Sequence, residues 1–380
     1  MKKAGVSSKF SSVQSDDDRL AWLRLMRSYR VGVSTFYRLM NEHGSAQAAL
    51  EALPEVARAA GVEKYRICPE GVAQAEMAKA RKLGAKMLCY GSPDYPAALK
   101  TISDPPPVLW MRGNGELLEK PMIALVGARN ASSLGTRMTR RLAHELGEAG
   151  FIVVSGLARG IDTAAHAAAL KHGTVAVFAG GVDVIYPTEN SELARDILKS
   201  GCVVAEQPIG TQPLARHFPV RNRIISGLSR AVVVIEAALK SGSLITAKNA
   251  LDQGREVMAV PGHPIDARAS GCNALLRDGA VLVRDADDVI EAISEPAQLD
   301  LTIEEPSDVP IAKPEQRTLA ETSALHQKIL NRLGPSPVAT DQLIRDLELP
   351  ARTVAPELSS LELDGKIEKR AGGLIVRVAS

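Results

Sequence analysis

The sequence predicts an α/β protein: a mostly parallel sheet covered by helices on both faces, with a small all-α domain ahead of it and a winged helix behind. Three observations carry this. From Met122 to Val283, short and continuously apolar runs alternate with helical patterns, which marks parallel strands buried on both sides. Residues 19–83 place apolar residues at helical spacing with no strand pattern between them. Residues 321–380 hold three helical patterns followed by a hairpin pattern.

Taken in order, residues 1–18 are rich in Ser, Lys and Asp and are expected to be disordered. Leu20, Leu23 and Met26 then share one helical face. Phe36, Leu39 and Met40 resume that spacing after Val31-Gly32-Val33-Ser34-Thr35. A glycine between apolar residues, followed by a Ser/Thr cap, reads in two ways. One is a helix-hairpin-helix whose amides can hold a DNA phosphate; the other is a plain turn in a small bundle. Further helices are expected near residues 46–52, 54–60 and 71–83, and short strands at 85–90 and 108–112 flank a proline-rich connector. The sheet proper uses 122–126, 151–154, 174–178, 202–205, 231–235, 256–260 and 281–283. Its helices are expected at 134–150, 161–172, 191–200, 244–253 and 273–278. From Asp285 to Asp308 the chain turns acidic and prolines interrupt it, as a linker would. The expected division is therefore 1–18 disordered, 19–83 helical, 84–292 sheet domain, 293–320 linker and 321–380 winged helix.

Composition narrows function by exclusion. The net charge is only +2, so any anion-binding surface must arise from local clustering. Aromatic residues make up 3% of the chain, which singles out Phe218, Tyr186 and Trp110 as scarce flat faces. Cys68, Cys89, Cys202 and Cys272 show no metal-ligand spacing and read as buried thiols in a reducing compartment. The polar N-terminus is no signal peptide, and no apolar run approaches a membrane span, so a cytoplasmic protein without membrane contact is expected. Neither a Walker A loop nor a GxGxxG fingerprint occurs, which argues against an ATPase or a dehydrogenase. No metal, cofactor or catalytic residue is expected.

Four strand-to-helix turns carry unusual residues, and in a parallel sheet all of them lie at the carboxyl edge, where ligands of open α/β folds bind. The first is Gly127-Ala128-Arg129, where small residues let an anion approach the helix start and Arg129 adds a forked contact. The second, Ser155-Gly156-Leu157-Ala158-Arg159-Gly160-Ile161-Asp162, suits a phosphate-accepting turn, with Asp162 as a helix cap. Asp162 and His166, one turn apart, read as structural rather than as a catalytic pair. The third is Gly180-Gly181-Val182-Asp183, with Tyr186 and Pro187 shaping a rim. The fourth is Ser241-Gly242-Ser243, where Ser243 either caps the next helix or offers its hydroxyl to a phosphate. Lys248 is read into the first turn of that helix, where a cation is unfavourable unless an outside anion is present. Beside these turns, Arg216, Arg221, Arg223 and Arg230 fall between Glu206 and Glu236 with no acid among them, a wall suited to polyanions.

Val126-Gly127-Ala128-Arg129, the Ser155–Asp162 turn, Gly181-Val182-Asp183 with Tyr186-Pro187, Phe218-Pro219-Val220-Arg221-Asn222-Arg223, the Ser241–Ala247 stretch and Val260-Pro261-Gly262 together resemble the DNA-processing protein A family (DprA, also called Smf). The sequence departs from the family at Ala128, where serine is usual, and at Ala205, where Ser-Glu is commoner. The resemblance implies an extended Rossmann-like core and a helix-hairpin-helix or SAM-like N-terminal domain. It also implies a homodimer in which Leu275 and Leu276 lie where subunits meet. In function it implies a protein that binds single-stranded DNA without strong sequence preference and helps load the bacterial strand-exchange recombinase during DNA uptake and natural transformation. Carried onto this sequence, Arg129 holds a phosphate, Arg216 and Lys248 add charge, and Phe218 faces a base. Of Arg221 and Arg223, one contacts DNA and the other braces the pocket through Glu236; Asn222 and one of these arginines are scaffold. The alternative is a nucleotide-cleaving phosphoribohydrolase on a related fold. The PGGxGTxxE stretch typical of such enzymes is missing here.

Overall fold

The computed structural model describes residue 13 and residues 15–294, 319–334, 336–370 and 373–378. The chain forms two compact units, Met1–Gln298 and Leu299–Ser380.

The first unit opens with helices α1 (Asp16–Arg27), α2 (Val33–His43), α3 (Ala46–Ala59) and α4 (Glu70–Lys82). α1 starts at Asp16 because Ser15 and Asp18 form a capping box: the Ser15 hydroxyl accepts from the Asp18 amide at 3.1 Å, and the Asp18 carboxylate accepts from the Ser15 amide at 3.0 Å. Three aspartates in the first turn complement the helix dipole. Residues 15–18 are therefore ordered, within the stretch expected to lack structure; residues 1–12 and 14 lie outside the described residues. α2 is capped by Gly32 rather than by Ser34, and α3 runs straight through Pro54 as one helix instead of two. Trp22 and Phe36 pack at 5.0 Å between ring centroids to centre this bundle. Glu76 of α4 ties the bundle to the sheet, accepting from Arg27 and from the Trp110 indole at 2.9 Å each.

A nine-stranded sheet follows, built from β1 (Lys86–Cys89), β2 (Val108–Gly113), β3 (Met122–Val126), β4 (Ile152–Ser155), β5 (Thr174–Phe178), β6 (Cys202–Ala205), β7 (Ala231–Val234), β8 (Glu256–Ala259) and β9 (Val281–Leu282). The order is β1-β2-β6-β5-β4-β3-β7-β8-β9. β1 pairs antiparallel with β2, and β2 with β6, while every later pairing is parallel. The intervening helices are α5 (Ser133–Glu148), α6 (Ile161–Ala169), α7 (Ser191–Ser200), α8 (His217–Leu228), α9 (Ser243–Asp252), α10 (Ser270–Arg277) and α11 (Ala286–Ile293). Side chains of β3 alternate between two cores. Ile123 and Leu125 join Leu142, Leu146, Ile161 and Val289 on one face. Ala124 and Val126 join Ile224, Ile225, Ala247 and Ala250 on the other.

Two further helices differ from what the sequence predicts. The arginine-rich stretch, for which no helix was expected, folds as α8, with every residue from Arg221 to Leu228 buried. The start of the acidic stretch is α11, capped by the Asp285 carboxylate on the Asp288 amide. The acids serve its first turn while Val289 fills the core.

The second unit holds α12 (Leu319–Arg332), β10 (Val338–Ala339), α13 (Thr340–Asp346), α14 (Ala351–Leu363), β11 (Ile367–Arg370) and β12 (Leu374–Arg377), the last two forming the wing of a winged helix. Ile329, Val354, Leu361 and Ile375 form its core. Among the described residues no helix is long and apolar enough to cross a membrane, and no group of three or more side chains is placed to hold a metal ion.

Candidate nucleic-acid interface

The carboxyl ends of β3, β4 and β7 open on a cleft of about 500 Å³. Arg129, Arg221, Lys240 and Arg268 line it against a single carboxylate, Asp162. Arg129 is exposed, and its guanidinium lies 5.4 Å from the centroid of the Phe218 ring. No described carboxylate lies within ion-pairing distance of Arg129 or Lys240, whereas Arg268 is held by Asp266 at 3.1 Å. In a chain of net charge +2, this is the local clustering that anion binding needs.

The floor of the cleft is a buried cation. Arg221 donates to the Gly156 carbonyl at 2.7 Å and to the Val177 carbonyl, gathering the ends of β4 and β5, and its Nε donates to Asn222 Oδ1 at 3.3 Å. Burial pulls its pKa down to about 10, which leaves it charged at neutral pH. Gly156 is glycine because a Cβ there would run into the Arg221 guanidinium. Asn222 Nδ2 donates to the Gly242 carbonyl at 3.2 Å, tying α8 to the turn before α9.

Several residues expected to touch an anion are committed elsewhere. The Ser155 hydroxyl is fully buried and donates to the Leu125 carbonyl at 2.7 Å. The Gly156 and Ala158 amides donate to Asp162 at 3.1 and 3.2 Å, so Asp162 folds the turn and does not cap α6. Burial pushes the Asp162 carboxyl up, with Arg221 the main opposing influence. Leu157 is forced to a φ of +56°, and the Asn190 side chain holds its carbonyl at 2.9 Å. His166 is buried with Nδ1 2.8 Å from the Thr174 hydroxyl; burial lowers its pKa to about 3, so it is neutral.

The start of α5 is also taken. The Ser132 amide and hydroxyl both donate to the Glu236 carboxylate, the amide at 2.8 Å, and a Cβ on Gly135 would sit 2.5 Å from that carboxyl carbon. The anion expected from outside at this helix is supplied by the chain itself. Glu236 therefore braces Ser132 and neither arginine. Arg223 instead donates to Glu206 at 2.6 Å, with Asp104 at 3.1 Å from its Nε; it is buried and stands off the cleft.

Around the fourth turn the Ser241 and Ser243 hydroxyls lie 2.7 Å apart, and the Ser243 amide donates to Ser241 at 3.3 Å. Ser243 is the first residue of α9, not its cap; that place belongs to Gly242. Lys248 is exposed in the second turn of α9 and does not line the cleft, so the argument that it compensates an anion at the helix start fails. Lys240, ahead of the helix, lines the cleft instead; a cation immediately before Ser-Gly-Ser was the available signal. Arg216 is exposed at the start of α8, outside the cleft lining. Leu275 and Leu276 are half-buried on α10.

A model of the family "DNA recombination-mediator protein A" matches residues 86–294, a DprA-like N-terminal domain model matches 16–79, and a DprA winged-helix model matches 313–373. This chain belongs to the DNA recombination-mediator protein A family. It is 45% identical over 222 residues to the DNA processing protein DprA of Bacillus subtilis, covering 58% of this chain and 75% of that one. It is 46% identical over 198 residues to the Streptococcus pneumoniae DprA, covering 52% and 70%. The crystal structure of the S. pneumoniae protein aligns with TM-score 0.58 at 34% identity, over 70% of this chain and all of that one. A Helicobacter pylori DNA processing protein A, whose structure concerns its single-stranded DNA binding mode, aligns with TM-score 0.51 at 30% identity over 55% of this chain and 95% of that one. For a member of this mediator family, the Rossmann-like core, the helical N-terminal domain and the winged helix are all in place.

Proposed function

We propose that this chain binds single-stranded DNA, largely independent of sequence, across the carboxyl edge of its sheet. By this reading it acts in the cytoplasm as a homodimer joined near Leu275 and Leu276, and helps load the strand-exchange recombinase during DNA uptake, natural transformation and recombination. The observation that carries the reading is the cleft itself: three arginines and a lysine facing one buried carboxylate, with an unpaired Arg129 resting on Phe218. Such a surface suits a repeating anion with flat bases, and the relative from H. pylori is described as binding single-stranded DNA. Arg129 and Lys240 would take phosphates directly, Arg221 would add charge from beneath, and Arg216 would extend the path along the start of α8. Gly127, Ser241 and Gly242 would keep the walls low enough for the backbone to approach.

The test is a salt-titrated comparison of single-stranded and duplex DNA binding by the intact chain. Single strands should bind more tightly, and log affinity should fall linearly with log salt at about 0.7 per phosphate contacted. Equal affinity for both forms, or indifference to salt, would remove this reading. Release of free base from nucleoside monophosphates would favour the phosphoribohydrolase alternative instead.

A further inference from the structure

Phe218 and Arg129 do not close off the site; they divide it. On their far side lies a second cleft of about 380 Å³, bounded by Ala158, Arg159, Tyr186 and Pro187. Its distal wall is Tyr186, which remains 50% exposed although the chain has few aromatic residues. Of the large aromatic side chains left exposed on the described surface, only Tyr29 is more open, and it lies on the hairpin between α1 and α2. The Tyr186 ring leans against Phe218, 5.7 Å between centroids and tilted by 59°, too close for a base to enter between them. The Phe218 ring thus has Arg129 and Tyr186 against it, and of the two rings Tyr186 offers the more exposed surface to a ligand. Nearby Arg159 is already paired with Glu189, so this cleft is less cationic than its neighbour. The larger cleft suits phosphates; the smaller one suits a base.

We propose that the Tyr186 cleft is a second subsite, in which a nucleobase of the bound strand stacks on Tyr186 while the adjoining phosphate stays with Arg129. This rests on the single-strand reading above and adds to it a base-holding residue that reads no sequence, because every base offers a flat face. Tyr186, which the sequence marks both as a scarce flat face and as part of a rim, thereby becomes a platform.

The experiment measures binding of the full chain to a labelled oligothymidylate and to an abasic strand of equal length, by fluorescence anisotropy. Tyr186→Ala and Tyr186→Leu should each weaken oligothymidylate binding by roughly 5- to 100-fold, the effect of one lost stacking partner, and leave abasic binding unchanged. Tyr186→Phe should bind both strands as the unaltered chain does. The leucine variant keeps bulk at the rim, so a loss shared by both substitutions and restricted to the base-bearing strand supports stacking. Unchanged oligothymidylate affinity in both variants, or equal losses on the two strands, overturns the subsite. Arg129→Ala separates the two readings. If strand binding depends on Arg129 but not on Tyr186, only the subsite falls; if it depends on neither, the placing of the strand in this cleft falls with it.

Discussion

Arg129 and Arg221 both lie near the Phe218 ring, 5.4 and 6.0 Å from its centroid, and should fail in opposite ways. Replacing Arg221 with methionine keeps much of its volume but removes a buried charge. The Gly156 and Val177 carbonyls lose their donor, and Asp162 loses the cation that offsets its burial. Removing one partner from a buried ion pair in contact costs about 3–5 kcal/mol, an upper bound for Arg221 and Asp162, which lie beyond ion-pairing distance. An orphaned buried acceptor costs about 1–3 kcal/mol by itself. These losses overlap, since Asp162 can take a proton, so the lower figure of about 3 kcal/mol is the working value. For a unit of this size each kcal/mol shifts the melting midpoint by about 2–4 °C, which gives a fall of roughly 6–12 °C. Arg129→Ala, at an exposed site, should move stability by less than about 0.5 kcal/mol. It should instead weaken single-strand binding by about 10- to 100-fold, the worth of one charge-assisted hydrogen bond. Circular-dichroism melts beside DNA titrations separate the two. An Arg221→Met protein that melts with the unaltered chain would refute the account of Arg221 as the buried floor.

Gly156→Ala should copy the Arg221 phenotype, because the added methyl displaces the same guanidinium; a melting curve within error of the original would contradict this. Acid should destabilise the protein through His166. The folded chain keeps it neutral down to about 3, while an unfolded histidine protonates near 6.5, so stability is lost as pH falls through that window, by up to about 1.4 kcal/mol per pH unit. Asp162 and Glu206, raised by burial, act in the opposite sense, their contribution fading as pH rises. Urea titrations at pH 6, 5 and 4 should show a flatter acid limb for His166→Asn, and an unchanged slope would count against the assignment. Deleting residues 299–380 should leave single-strand affinity within a few-fold, read by anisotropy, since the cleft lies wholly in the first unit.

The sheet was legible because its strands are short apolar runs punctuated by glycine, and periodicity finds such runs directly. α8 was not, since Arg221, Asn222 and Arg223 look like surface until their partners Gly156, Val177 and Glu206 arrive from distant strands. The same blindness moved the site. Ser155 and the start of α5 carry the residues of a phosphate seat, but Leu125 and Glu236 satisfy them, 30 and 104 residues away. The place of Arg129 in the cleft was legible because it stands in a turn with no local acid to claim it. Lys248 was misplaced because it is the sixth residue of α9, beyond a first turn of 3.6 residues, and Lys240, ahead of the helix, lines the cleft instead.

The Glu236 carboxylate at the head of α5 has a consequence for what the protein ignores. A lone mononucleotide has one strong handle, its phosphate, and the seat that would grip it best already holds a negative charge. A strand does not depend on any single seat, because it grips at several points at once and each weak contact raises the local concentration for the next. On the single-strand reading, the cell's pool of small nucleotides should therefore be a poor competitor for this surface. Selection between a polymer and its building blocks would then be set by a place kept filled.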